Sequence, residues 1–164
     1  MKIELRHHIP CTVATFWEMF WDDRYDELVR GASAFTRTVL SDHTEGSVRR
    51  WRVRIEPDRV LPAPVRKVLG TDKLIYEQDN ELDTDRGVLH WEVIPQVLSS
   101  KITARGTLQV VEEAGGVQRL VRGEIAVKVP VVGGRIEKAI VADVERSYDN
   151  AAEACRRWLD EKGR

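Results

Sequence analysis

Apolar positions recur with two different periods along this chain, and the switch between them marks out its elements. Residues 2–9 alternate, with Ile3, Leu5, His7 and Ile9 on one side and Lys2, Glu4, Arg6 and His8 on the other, the period of a half-buried strand. Pro10 ends it. Thr12 is an N-cap for a short helix with the stripe Val13, Phe16, Trp17 and Phe20, and Asp22 or Asp23 caps a second with Tyr25, Leu28 and Val29, which Gly31 is expected to stop. Strands follow at about residues 34–40 and 47–56, joined by a polar turn containing Asp42 and Gly46. In the second of these, Trp51, Val53 and Ile55 alternate with Arg50, Arg52 and Arg54, so the arginines are expected to face water.

Residues 57–70 interrupt the strands. Pro62 and Pro64 exclude a ladder strand, while Leu61, Val65, Val68 and Leu69 suit a short amphipathic helix that begins at the prolines, where a missing amide proton costs nothing. Strands resume at about 73–82, 88–95, 101–112 and 117–129, with tight turns at 83–87 and at Gly115 and Gly116. Long consecutive strands with short turns make an antiparallel meander. From Gly133 the spacing becomes helical, and Ile136, Ile140, Val144, Tyr148, Ala151, Cys155 and Leu159 form one stripe to the chain's end. Such a helix is about 40 Å long. A twisted sheet curled around it buries both apolar faces. The fold class is therefore α+β, in one domain over residues 1–164, with a curved antiparallel sheet of six to seven strands, two short helices after the first strand and one long C-terminal helix.

Composition narrows the function. A formal charge of −1 with interspersed signs provides no net field for nucleic acid or an anionic membrane. No apolar run has the length of a membrane span and the first ten residues lack a signal peptide's apolar block, so a cytoplasmic protein without an integral membrane segment is expected. Cys11 and Cys155 are far apart in sequence and are expected to be reduced packing residues.

The order strand, two short helices, six-stranded meander and long C-terminal helix resembles the START-like, or helix-grip, superfamily, which includes polyketide cyclases and the birch-pollen allergen. LPAPVRKVLG at residues 61–70 and VKVPVVGGRIEK at residues 127–138 resemble an uncharacterised bacterial family of that superfamily. The resemblance implies a cavity between sheet and helix that holds an apolar or amphipathic small molecule. The superfamily also contains enzymes and protein-binding modules, and fold does not choose among them.

Strand parity provides the candidate lining. Ala104, Gly106 and Gly123 fall on inward faces and either leave room near the middle of the sheet or mark strand curvature. His7, Gln78 and Asn80 are polar at inward positions, where an unpaired group is costly. With Trp51, Tyr76 and Trp91 on the sheet and Ile140, Val144 and Tyr148 on the helix they compose an aromatic-lined pocket with a few convergent polar groups. Satisfaction of each polar residue by a backbone carbonyl is the alternative.

No catalytic set stands out. His7 and His8 point to opposite faces of a regular strand and cannot grip one metal together, and the chain has no CxxC, HExxH, GxSxG or phosphate-cradling glycine loop. The expected function is binding of a small hydrophobic or amphipathic, lipid-like or polyketide-like molecule as carrier or sensor, without cofactor or metal. A cyclase- or hydratase-type enzyme using His7 or a buried carboxylate, and a protein-interaction module using the 57–70 rim or the outer sheet face, are the alternatives.

Overall fold

The computed structural model describes residues 1–164. Its elements are β1 (Lys2–Ile9), α1 (Val13–Phe20), α2 (Asp23–Ser33), β2 (Phe35–Glu45), β3 (Val48–Pro57), α3 (Ala63–Leu69), β4 (Tyr76–Asp83), β5 (Val88–Pro95), β6 (Ile102–Glu113), β7 (Gly116–Val127) and α4 (Gly133–Lys162). The seven strands form one antiparallel sheet in the order β1-β7-β6-β5-β4-β3-β2. Strands β2 to β7 are a meander, and β1 closes onto β7 with Ile3 opposite Gly123 and His7 opposite Arg119. The long helix packs against α2, β1 and β7.

Local chemistry explains the helix starts. The Thr12 hydroxyl accepts from the amide of Thr15 at 3.1 Å and so caps α1. The Asp22 carboxylate accepts from the amide of Arg24 at 2.9 Å, capping α2, and also from the Trp158 indole at 3.0 Å. One side chain thus starts a helix and ties it to the far end of α4. The main core joins Ile9, Phe16, Met19, Val117, Val121 and Ile125 to Cys155, Trp158 and Leu159. A smaller cluster of Val65, Leu69, Ile102, Val127 and Ile136 closes the opposite end, over which α3 folds.

Two boundaries differ from the sequence reading. Helix α2 passes through Gly31 and ends at Ser33, with Ala34 in the left-handed region at φ 50° as its cap. Gly31 is exposed, so the helix loses only its modest propensity cost there, while Tyr25 and Leu28 hold it to the core. Strand β2 continues to Glu45 through a register shift between Val39 and Ser41, so Asp42 lies in the strand and the turn is confined to Gly46 and its neighbours. The bulge changes which residues face inward, and this brings Asp42 opposite Trp51. Both cysteines are free thiols.

Arg50, Arg52 and Arg54 of β3 face outward as expected, and what they meet there is acidic. Arg50 pairs with Glu81 at 2.8 Å, and Arg52 pairs with Asp79 at 2.5 Å and Glu77 at 3.3 Å. These cross-strand pairs explain the arginine row without a nucleic-acid partner. Being exposed, each contributes little to stability. An open depression of about 930 Å³ lies on this outward face among Arg50, Arg52, Glu81, Glu92 and Arg122. Its charges of both signs neutralise one another, and it also borders Trp51, Asn80, Trp91, Gly106 and Gly123, whose strands separate it from α4.

Candidate functional site

Register places five of the expected site residues in one line across the sheet. Trp51 is opposite Asn80, Asn80 opposite Trp91, Trp91 opposite Gly106 and Gly106 opposite Gly123. The neighbouring row on the same face runs Val53, Gln78, Val93, Ala104 and Ile125, and Tyr76 stands one row further, opposite Ile55. Ile140, Val144 and Tyr148 of α4 pack over this face half-buried.

The glycines have a specific occupant. A Cβ on Gly106 would lie 2.6 Å from Cζ2 of Trp91 and 2.2 Å from the carbonyl oxygen of Arg122, and one on Gly123 would lie 3.0 Å from the same indole carbon. The Trp91 ring therefore lies across two strands stripped of side chains, and the room that Gly106 and Gly123 create is filled by the protein itself. Ala104, 3 % exposed, is ordinary core. Trp51 meets Trp21 edge-on at 5.2 Å between ring centroids, and the Arg49 guanidinium lies 3.9 Å from the Trp21 ring, so this aromatic wall continues into α1.

Polar groups on the inward face divide into satisfied and unsatisfied sets. Gln78 donates from Nε2 to Oδ1 of Asn80 at 2.7 Å, so these two residues answer each other along β4. The buried Nε1–H of Trp91 finds no acceptor. Burial pushes the phenols of Tyr76 and Tyr148 up to about 12, and no hydrogen bond contributes to either shift. Both tyrosines are nevertheless only half-buried.

On the sheet His7 lies two rows from the Trp51–Gly123 line, in a network that reaches Tyr148 through Arg119. Its Nδ1 accepts from Nη2 of Arg119 at 3.2 Å, and its Nε2 lies 2.8 Å from Oδ1 of the exposed Asp149. The Arg119 Nη2 also donates to the carbonyl oxygen of Tyr148 at 2.6 Å. Desolvation chiefly, with Arg119 adding, holds the imidazole below the usual histidine range against the opposing pull of Asp149. Neutral His7 with the proton on Nε2 satisfies both neighbours. Arg119 is 1 % exposed, no carboxylate pairs with it, and its Nε has no partner. The sequence reading missed this residue although parity marks it: Arg119 stands two positions before Val121 on the same face of β7. Burial also raises both thiols, Cys11 to about 11, so neither is a ready nucleophile.

With this architecture in hand, a family model settles the kinship, matching residues 4–159 to DUF2505, a protein family of unknown function. The chain belongs to the DUF2505 family. No curated protein matches it. Among solved structures it is similar to TTHA0849 from Thermus thermophilus, at 16% identity and TM-score 0.66 over 94% of this chain and 97% of that one. The Zhui aromatase/cyclase from Streptomyces sp. R1128 is similar at 13% identity and TM-score 0.67, over 100% of this chain and 96% of that one. The di-domain ARO/CYC StfQ of the steffimycin biosynthetic pathway is similar at 8% identity and TM-score 0.64, with 99% of this chain matched to 51% of that one. At such identities the likeness establishes the fold, a helix-grip, and leaves the chemistry to the site. No helix is long and apolar enough to cross a membrane.

Proposed function

We propose that this protein binds a small hydrophobic or amphipathic molecule between the sheet and α4, as a carrier or sensor. The observation that carries the reading is the buried Nε1–H of Trp91, which has no acceptor in the protein, together with the half-buried phenols of Tyr76 and Tyr148, to which no hydrogen bond is made. An unsatisfied buried donor such as the Trp91 indole is rare in proteins and costs about 1–3 kcal/mol. A ligand carrying one or two oxygens on an apolar skeleton would satisfy them, with Val93, Ile140 and Val144 as half-buried apolar neighbours. The fold shared with proteins called aromatase/cyclase agrees with an interior of this kind.

Binding is favoured over catalysis by the state of the titratable groups. Both ring nitrogens of His7 are engaged, one by Arg119 and the other by Asp149, so the imidazole has no free nitrogen to offer a bound molecule. General acid–base work needs a group free to exchange a proton with the substrate. The deciding experiment is native mass spectrometry of the purified protein before and after extraction with organic solvent. A retained small molecule that extraction removes, and whose return raises the melting temperature, is the expected result. A protein of bare chain mass that no hydrophobic probe stabilises would refute the reading.

A further inference from the structure

The formal charge of −1 conceals a strong separation of charge along the strands. At the end where α4 begins, the connections 58–73, 96–101 and 128–138 meet over the cluster of Val65, Leu69, Ile102, Val127 and Ile136. They hold eight basic residues against three acidic ones, Asp58, Asp72 and Glu137. Arg59 is paired with Asp143 at 3.0 Å and Arg66 with Asp72 at 3.4 Å, while Glu137 receives the N-terminal ammonium at 3.1 Å. Lys67, Lys73, Lys101, Lys128, Arg135 and Lys138 make no ion pair. The hairpin turns at the opposite end, 44–47, 83–87 and 112–116, hold five acidic residues against one basic.

Apolar side chains stand out among these cations. Val60 is 51%, Val68 44% and Val131 101% exposed. Val131 also occupies the left-handed region at φ 68°, a costly conformation for a β-branched residue. Strain that keeps an apolar side chain wholly in water points to a surface that receives it.

We propose that this end of the molecule docks on an anionic lipid surface. Of the eight basic residues five are lysines, and the three connections contain no aromatic residue. Protein interfaces are depleted in lysine, whereas anionic headgroups attract lysines by charge alone and exposed valines among them can insert as far as the headgroup–acyl boundary. The dipolar distribution orients the protein with α3 and the start of α4 toward the lipid. Docking rests on this surface and is independent of what the interior holds.

The test is co-sedimentation of the full chain with vesicles of phosphatidylcholine alone and of phosphatidylcholine with phosphatidylglycerol, at about 0.1 and 0.5 M salt. Binding about tenfold or more tighter to the anionic vesicles, and lost at the higher salt, is expected. The double variant Lys67→Glu/Lys128→Glu and, separately, Val131→Asp weaken it, whereas Arg86→Glu at the opposite end leaves it unchanged. Melting temperatures establish that each variant is folded, and the salt series on the unaltered chain needs no variant. Absence of binding to anionic vesicles, equal binding to both kinds, or binding that survives the lysine reversals would overturn the proposal.

Discussion

Arg119 donates to the backbone carbonyl of Tyr148 at 2.6 Å, and its guanidinium lies 5.3 Å from that residue's ring. A strand of the sheet and the middle of the long helix are thereby joined through a charge that is 1 % exposed. His7 completes the junction, and Asp149 at the surface is the nearest compensating carboxylate in the network.

Such a cation forgoes its hydration without a direct ion pair, which sets the first prediction. Arg119→Met, which keeps volume and removes the charge, is expected to be neutral within about 1 kcal/mol or stabilising. Arg119→Ala leaves a void and is expected to cost about 2–4 kcal/mol. Urea denaturation midpoints distinguish the two. A methionine variant as unstable as the alanine one would mean that the charge itself holds the junction together.

Acid should loosen this junction through His7. Because the folded protein holds His7 below the usual value of 6.5, the neutral form is the one that folding favours. Its contribution is complete above 6.5 and is lost as pH falls through the lower folded value. Protonation would set Nδ1–H against the Arg119 donor. The melting temperature is expected to drop on acidification below about pH 6.5, and His7→Gln to flatten that part of the profile. An unchanged profile in the variant would assign the loss to other groups.

The glycine pair under Trp91 predicts an unequal response to alanine. At Gly106 the added carbon meets a backbone oxygen at 2.2 Å, which no side-chain movement relieves, whereas at Gly123 the nearest atom is the Arg105 carbonyl oxygen at 2.8 Å. Both substitutions destabilise, and Gly106→Ala is expected to cost at least about 1 kcal/mol more than Gly123→Ala. Equal costs, read from thermal or denaturant unfolding, would contradict the close packing described here.

Removing a hydroxyl that nothing in the protein holds should leave the fold untouched. Tyr148→Phe and Tyr76→Phe are expected to change stability by less than about 0.5 kcal/mol while weakening retention of the bound molecule. Melting curves of the extracted protein and native mass spectra of the unextracted one separate these effects. A large loss of stability in the extracted variants would show that the hydroxyls serve the protein and not a ligand.

Much of this was legible in the linear chain, and the reasons are local. The period of two in Ile3 to Ile9 and the period of three to four from Ile136 to Leu159 depend only on which side of a strand or helix must be apolar. Caps at Thr12 and Asp22 depend on residues two and three positions away. Parity alone put Gln78, Asn80, Trp91, Gly106 and Gly123 on one face, although it could not say that Trp91 fills the room left by the glycines. That depends on the register of three strands. The end of α2 was misplaced because a glycine's propensity cost is smaller than the packing of Tyr25 and Leu28, and the end of β2 because a bulge leaves little trace in polar residues.

By itself, then, the sequence determined the elements, their order and the two faces of each strand, since these follow from contacts between near neighbours in the chain. Tertiary structure alone decided which polar groups found partners. Gln78 met Asn80, while Arg119, 112 positions from His7 in sequence, met it across β1 and β7. Only the fold, too, separated the lysines at one end from the acidic turns at the other. A net charge sums over the chain without regard to place, and a field depends on where each charge stands.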